Sequence, residues 1–357
     1  MNPGPIAIRI SKPSRWSSRT ANKRTIPMTA TKTFSFAVVG AGGIAGTHAS
    51  AAKDTNGEVA ISHAVDANPG AARAFSDTHG STALDSFDDL LKAIDAGDGP
   101  DALLVCTPPS ARLGIVTAAV ERKVPILVEK PLANDVESAT KLQHLFARNQ
   151  DVPMAIAYCH RFAPPIVKLK ELVAQDAIGR MTRFENHFAF HHPPMAEKWM
   201  SDASIAGGGS FIDTGSHSLD LFRFLVGPAQ VAGAVYDHEW PDRAESAATV
   251  LLRSQVPGVA GVINAGWMEP EKFTLTLTGT GGTLHYDYMD AEVIHHTTSD
   301  GTRNAIHTDS HEQRFKNQLL AFAEHARGGP LGRLATFDDG LAANTAVDEA
   351  TRLSKII

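Results

Sequence analysis

Four groups of residues in this 357-residue chain have the types and spacings to do chemistry. The first is Gly40-Ala-Gly42-Gly43-Ile44-Ala45, a G-x-G-x-x-A pattern at the end of an apolar run. Gly40 permits a tight turn, Gly42 lets a pyrophosphate approach the backbone, and Ala45 keeps the following helix close to its strand. The N–H groups at the start of that helix are then offered to the phosphates. The second is Asp66, twenty-six positions after Gly40, where a ribose 2′-hydroxyl would be bound. A carboxylate there repels a 2′-phosphate, and Ala67 and Asn68 offer no guanidinium to accept one. The pattern therefore favours NAD, with NADP as the alternative. The competing account is a plain tight turn, with Asp66 capping a helix before Pro69.

The third is Lys130, which leaves the apolar run PILV and precedes Pro131. At the carboxyl edge of a buried strand its ammonium could hydrogen-bond a substrate hydroxyl and stabilise charge developing on oxygen. The alternative is a lysine snorkelling to the surface. The fourth is the pair Asp213 and His217, four apart in a helix-compatible stretch and so on one face. An imidazole can take a hydroxyl proton near neutrality, and a carboxylate one turn away can orient it. An isolated D-x-x-x-H fits a capping Asp and a half-buried structural His equally well. His191-His192 and His295-His296 suggest a metal only superficially. Adjacent strand residues point to opposite faces and no further ligands complete either set, so no metal is expected. His191 and Trp199 instead belong to a loop that could line a sugar pocket, and Trp267 offers either a stacking face or core.

These groups need elements to position them. Apolar β-rich runs at 34–40, 58–66, 101–107, 125–131 and 153–160 alternate with helical segments, as in a doubly wound parallel sheet of the Rossmann kind. Beyond Arg161 the strand-like segments 179–191, 229–237, 246–254, 258–267, 273–280 and 283–288 follow one another. One strong helical stretch, 211–226, interrupts them, and helices near 312–327 and 337–355 close the chain. The expected fold class is α/β: a nucleotide-binding domain over 34–158, then an α+β domain over 159–357 with a large, mostly antiparallel sheet.

Residues 1–33 carry seven Lys or Arg and no acid, in a Pro- and Ser/Thr-rich segment without a helical or strand period. They read as a disordered or non-native extension, with Met28 as a candidate start, in preference to a transit peptide. Taking those seven from 33 basic residues against 39 acidic ones leaves −13 for the rest. Nucleic acid is a poor partner for such a body, because tracking phosphates takes a basic face. Two cysteines fit a reducing, cytoplasmic compartment, and no apolar run approaches the roughly 20 residues of a membrane span.

Taken in order, G-x-G-x-I at Gly40–Ile44 with His48 downstream, TPP at 107–109, EKP at 129–131, RFAP at 161–164 and GGGSFIDTGSHSLD at 207–220 resemble one family. It is the Gfo/Idh/MocA oxidoreductases, relatives of glucose–fructose oxidoreductase and inositol dehydrogenase, and the resemblance runs from Phe34 almost to the C-terminus. It implies Lys130, Asp213 and His217 as the catalytic set. It also implies cofactor contacts at Thr107, Pro108, Pro109, Glu129 and Lys130, a ligand contact at Arg161, and a homodimer or homotetramer. One position departs: members often carry His three residues beyond the TPP turn, and Arg112 stands here. The implied reaction is hydride transfer between a secondary alcohol of a sugar, inositol or sugar derivative and nicotinamide. Variants that keep the cofactor bound, for sugar–sugar exchange or redox-assisted glycoside cleavage, would not release free NADH. A non-catalytic NAD sensor would lack the three catalytic side chains.

Overall fold

A computed structural model describes residues 32–255, 258–290 and 292–356. Nearly all of the N-terminal extension, residues 1–31, lies outside the described residues.

The first sheet has six parallel strands: β1 (Phe34–Val39), β2 (Val59–Val65), β3 (Thr82–Ala83), β4 (Ala102–Val105), β5 (Ile126–Val128) and β6 (Met154–Ile156). Their order is β3-β2-β1-β4-β5-β6. The strand order reverses between β1 and β4, and the crevice beyond the carboxyl ends of these two strands is where such sheets bind ligands. Near-continuous burial explains the unbroken apolar runs. Phe36, Val38 and Leu104 face one core, while Ala37, Val39, Leu103 and Val105 face the other. Helices α1 (Gly43–Lys53), α2 (Pro69–His79), α3 (Phe87–Ala96), α4 (Arg112–Glu121) and α5 (Val136–Arg148) connect the strands.

Helix α6 (Pro164–Ala174) leads into the second sheet. The strand-like segments expected beyond Arg161 do not include it. The Pro164-Pro165 pair reads as a breaker, but proline sits well in a first helical turn, where its missing N–H is no loss. The second sheet has nine strands: β7 (Met181–His191), β8 (Ala229–Asp237), β9 (Ala247–Ser254), β10 (Ala260–Gly266), β11 (Met268–Gly279), β12 (Gly282–Asp287), β13 (Val293–Thr298), β14 (Arg303–His307) and β15 (Ser354–Ile356). Their order is β14-β13-β12-β11-β7-β10-β9-β8-β15. All neighbours are antiparallel except β7 with β10 and β8 with β15. Strands β13 and β14 were not expected, because runs such as IHHTT and RNAIH are too polar to read as strands. Between β7 and β8 lie α7 (Ala203–Ala206), a π-helical turn over Phe211–Gly215, and α8 (Ser216–Leu225).

The closing helices α9 (Arg314–Ala326) and α10 (Phe337–Leu353) return to the first sheet. Leu319 and Phe322 of α9 join Phe36 and Leu104 in one core, and the Phe322 ring lies 5.7 Å from that of Phe36. Phe337 of α10 stacks on Phe146 of α5 at 5.6 Å.

A buried charge cluster ties these layers together. Arg161 grips Asp220 of α8 through Nε at 2.9 Å and Nη2 at 2.6 Å, and reaches Asp339 of α10 at 3.2 Å. Arg223 binds the other oxygen of Asp339 at 2.7 Å. Burial alone would lower the pKa of Arg161, but Asp220 and Asp339 outweigh it and hold the guanidinium firmly charged. Removing one partner from such a group leaves an uncompensated interior charge. Asp220→Ala is therefore expected to lower the unfolding free energy by about 3–5 kcal/mol in urea titration, and a loss under about 1 kcal/mol would contradict the account.

Candidate active site

The turn after β1 brings backbone segments very close together. Gly40 has φ +97°, and a Cβ there would sit 2.9 Å from the Cys106 carbonyl carbon and the Thr107 nitrogen. Only glycine fits. Gly42 has nothing within 4 Å of where a Cβ would be, and it precedes α1 with no side-chain cap. The N–H groups of the first turn, starting at Gly43, therefore face an open cleft, as an anion site requires. Ala45 is fully buried against the sheet. Asp66 lies just past β2, with one carboxylate oxygen accepting from Ala41 N and the other from Asn68 N, each at 2.8 Å. Each oxygen keeps a lone pair for a ribose hydroxyl. The cleft has a volume of about 720 Å³, with Gly42, Asp66, Asp85, Thr107, Pro108 and Trp199 in its walls. The open glycine, the uncapped helix and the carboxylate fit a dinucleotide.

A second chamber, of about 210 Å³, adjoins it and shares Cys106, Thr107 and Trp199. Ile44, Pro109, Arg112, Glu129, Lys130 and Asp213 also line it. Arg112 is almost wholly buried. It donates to the Thr107 carbonyl through Nε at 3.1 Å and Nη2 at 2.8 Å, and to the carbonyls of Glu129 and Pro131 through Nη1. One guanidinium thus clasps both the TPP and the EKP turns. Burial lowers its pKa to about 10, against the opposing pull of Glu129, so it stays cationic. The departure at this position is structural: the guanidinium spans two turns at once. Glu129 is buried and bonds His48 Nε2 at 2.7 Å. Burial would raise its pKa, but the His48 bond and the charges of Lys130 and Arg112 leave it lowered, an ionised carboxylate.

Lys130 Nζ donates to Asp213 Oδ1 at 3.0 Å and to the Asp213 carbonyl at 2.9 Å. An ammonium has three donors, so one N–H is left for a ligand oxygen. The π-helical turn carries Asp213, and such turns often mark functional sites. Glu245 anchors its start by accepting from Gly209 N at 2.9 Å and Phe211 N at 3.0 Å. Trp267 is fully buried and donates its indole N–H to Asp213 Oδ2 at 3.2 Å. It is therefore a support for Asp213 and offers no stacking face.

His217 lies one turn beyond Asp213 and opens on a third chamber, of about 320 Å³, with His160, His311 and Arg314. Its ring centre is 4.7 Å from that of His160. Burial first, then the charges of Lys130 and Arg314, push the His217 pKa well below its usual value. Burial does the same for His160, and for His311 down to about 3. All three rings are neutral.

The structure thus joins Lys130 to Asp213 directly and sets His217 within electrostatic reach of Lys130. Trp199 is 41% exposed and lines both the cleft and the second chamber. His191 is exposed at the end of β7 and lines none of these three cavities. Arg161 does not reach a ligand site, because Asp220 and Asp339 occupy its guanidinium. Glu245, His160, His311 and Arg314 are absent from the sequence reading. Only their placement in space marks them, across a span of 154 positions from His160 to Arg314.

Residues 34–157 match the family model "Oxidoreductase family, NAD-binding Rossmann fold", and 166–285 match the GFO/IDH/MocA C-terminal domain. The rhizopine catabolism protein MocA of Rhizobium meliloti is 28% identical over 327 residues, 90% of this chain and 95% of its own. Inositol 2-dehydrogenase from Rhizobium meliloti (strain 1021) is 23% identical, over 90% of this chain and 96% of its own. Levoglucosan dehydrogenase, solved with NADH and levoglucosan, superposes with a TM-score of 0.79 at 20% identity, over 90% of this chain and 98% of that one. The chain belongs to the GFO/IDH/MocA family of oxidoreductases, and its first sheet is an NAD-binding Rossmann fold. No helix among the described residues is long and apolar enough to cross a membrane.

The neutral rings set a pH dependence of stability. His160, His217 and His311 have folded pKa values below that of an unfolded histidine, so the unfolded chain binds more protons below about pH 6.5. Stability is complete above that pH and falls as the medium is acidified, by at most about 4 kcal/mol per pH unit for three protons. Urea titrations at pH 7, 6 and 5 are expected to show the decline, and His311→Asn to reduce its slope.

Proposed function

We propose that this member of the GFO/IDH/MocA family oxidises a secondary alcohol of a sugar, inositol or sugar derivative with NAD, and runs the reverse reduction when product is in excess. The supporting observation is the Lys130–Asp213 pair, with one ammonium N–H free, in a chamber that shares a wall with the dinucleotide cleft. On this reading 34–158 holds the cofactor, while 159–357 holds the substrate and forms a homodimer or homotetramer. The protein works in the cytoplasm on a small molecule and not on nucleic acid.

The bound nicotinamide supplies the hydride-accepting carbon, and the alcohol leaves as a ketone. The protein residues act on the hydroxyl. Neutral His217 accepts the hydroxyl proton, and no prior deprotonation is needed near neutrality. The free N–H of Lys130 meets the oxygen as negative charge builds on it. Asp213, fixed by Trp267 and the π-helical turn, holds the ammonium in place. At the other end of the cleft Asp66 and Asp85 together disfavour a 2′-phosphate.

NAD reduction with a sugar and polyol panel, followed at the absorbance of the reduced nicotinamide, tests the assignment. Lys130→Ala and His217→Ala are each expected to lower kcat by about 10²–10⁴-fold. Full turnover in either would remove that residue from the mechanism. Because the His217 pKa is depressed, the acid limb of kcat/KM should fall below pH 6.5. NADH should bind at least about tenfold more tightly than NADPH, a gap that Asp66→Ser narrows.

A further inference from the structure

The turns that carry Thr107 and Lys130 lie just past the ends of their strands. β4 stops at Val105 and β5 at Val128, and Glu129 N still donates to the Val105 carbonyl at 2.9 Å. Beyond that bond the sheet gives way to two turns, whose interior carbonyls need other donors. Arg112, only 2% exposed, supplies them. Its Nε and Nη2 donate to the Thr107 carbonyl, its Nη1 to those of Glu129 and Pro131, and Nη2 also to that of Lys130 at 3.3 Å. A guanidinium has five N–H groups in a rigid fork, and these contacts use the whole fork. Arg112 therefore lines the second chamber with no donor left for a ligand.

Three of these carbonyls are consecutive and centred on Lys130. The Lys130 N–H in turn donates to Glu129 Oε2 at 3.1 Å, so both polar atoms of its backbone are tied. At the far end of the side chain, Nζ bonds the Asp213 carbonyl at 2.9 Å and its carboxylate at 3.0 Å. A lysine side chain is a flexible stem, and only one fixed at both ends aims its remaining ammonium N–H in a single direction. The other carbonyl belongs to Thr107, which lines both the dinucleotide cleft and the second chamber. One guanidinium thus sets the spacing between a wall of the cleft and the ammonium. Hydride transfer depends on that spacing, because misplacing the reacting groups by about 1 Å costs roughly 100-fold in rate.

Resting on the dehydrogenase reading above, we propose that Arg112 is a positioning residue for that reaction. It holds the Lys130 backbone and the Thr107 turn in one frame, so that the free ammonium N–H meets the alcohol oxygen while the carbinol carbon faces the cofactor. A purely structural arginine would stabilise the two turns and leave turnover per folded molecule unchanged.

Arg112→Ala and Arg112→Lys separate the two roles. The alanine variant removes the clasp and is expected to lower kcat per folded molecule roughly 100-fold, with the KM of the alcohol changed less than about threefold. Guanidinium ion added to it should restore part of the lost kcat. The lysine variant keeps the charge without the fork and should lose about tenfold; it serves alone if the alanine variant fails to fold. In a Lys130→Ala background either substitution should cost less than about threefold, since the residue it acts through is already gone. Crystal structures of the variants should show Lys130 Nζ displaced from Asp213. Wild-type kcat per folded molecule in Arg112→Lys, a full additional loss in the Lys130→Ala background, a loss confined to the KM of NAD, or an unmoved Lys130 overturns the proposal and leaves the dehydrogenase reading standing. If no alcohol reduces NAD with the wild-type protein, the dehydrogenase reading fails and this proposal with it.

Discussion

A single ammonium joins the two halves of the site. Lys130 leaves the carboxyl end of β5 in the first sheet and bonds both the carboxylate and the carbonyl of Asp213, which the second domain supplies. A partly buried charge pair such as this is held on both sides. On the lysine side, Arg112 clasps the carbonyls of Glu129 and Pro131 around it. On the aspartate side, Trp267 binds the second carboxylate oxygen, and Glu245 anchors the segment that leads to it. Every support is itself buried, so the geometry is set by packing and does not rest on flexible surface groups.

The same interior charges explain the electrostatic character of the site. The His48 bond, aided by Lys130 and Arg112, keeps Glu129 ionised despite its burial, while burial, reinforced by Lys130 and Arg314, keeps the His217 imidazole neutral. Acid and base states that would mix in water are separated here by position alone. Interior charge of this kind is compatible with an acidic exterior, because the positive groups are few and each has an assigned partner.

Much of this was legible in the residues. The G-x-G-x-x-A turn, Asp66 and the alternating strands and helices led directly to the first sheet, because buried parallel strands leave unbroken apolar runs. Motif and spacing single out Lys130, Asp213 and His217, and the structure bonds the first two to each other. Other features were hidden for physical reasons. Polar edge strands such as β13 carry little apolar signal. Arg161 looked like a ligand contact, since nothing local shows that Asp220 and Asp339, 59 and 178 positions away, would take its guanidinium. Trp267 read as either a platform or core, and an indole N–H reveals its acceptor only in three dimensions. The chamber of histidines is assembled from the turn at Cys159–Phe162, α8 and the turn at His311–Gln313, so no window of sequence contains it.

Helix α9 carries a further consequence. Its first residue, Arg314, lines the third chamber, while Leu319 and Phe322 lie in the core beneath β1. One rigid rod therefore belongs to both halves of the molecule. A chimera joined near residue 158, grafting a foreign nucleotide-binding half onto this substrate half, would place α9 against the wrong sheet and shift Arg314 with it. Recombination within this architecture must carry the final helices along with the first strands, so the unit of exchange is interleaved in the chain and cannot be excised by a single cut.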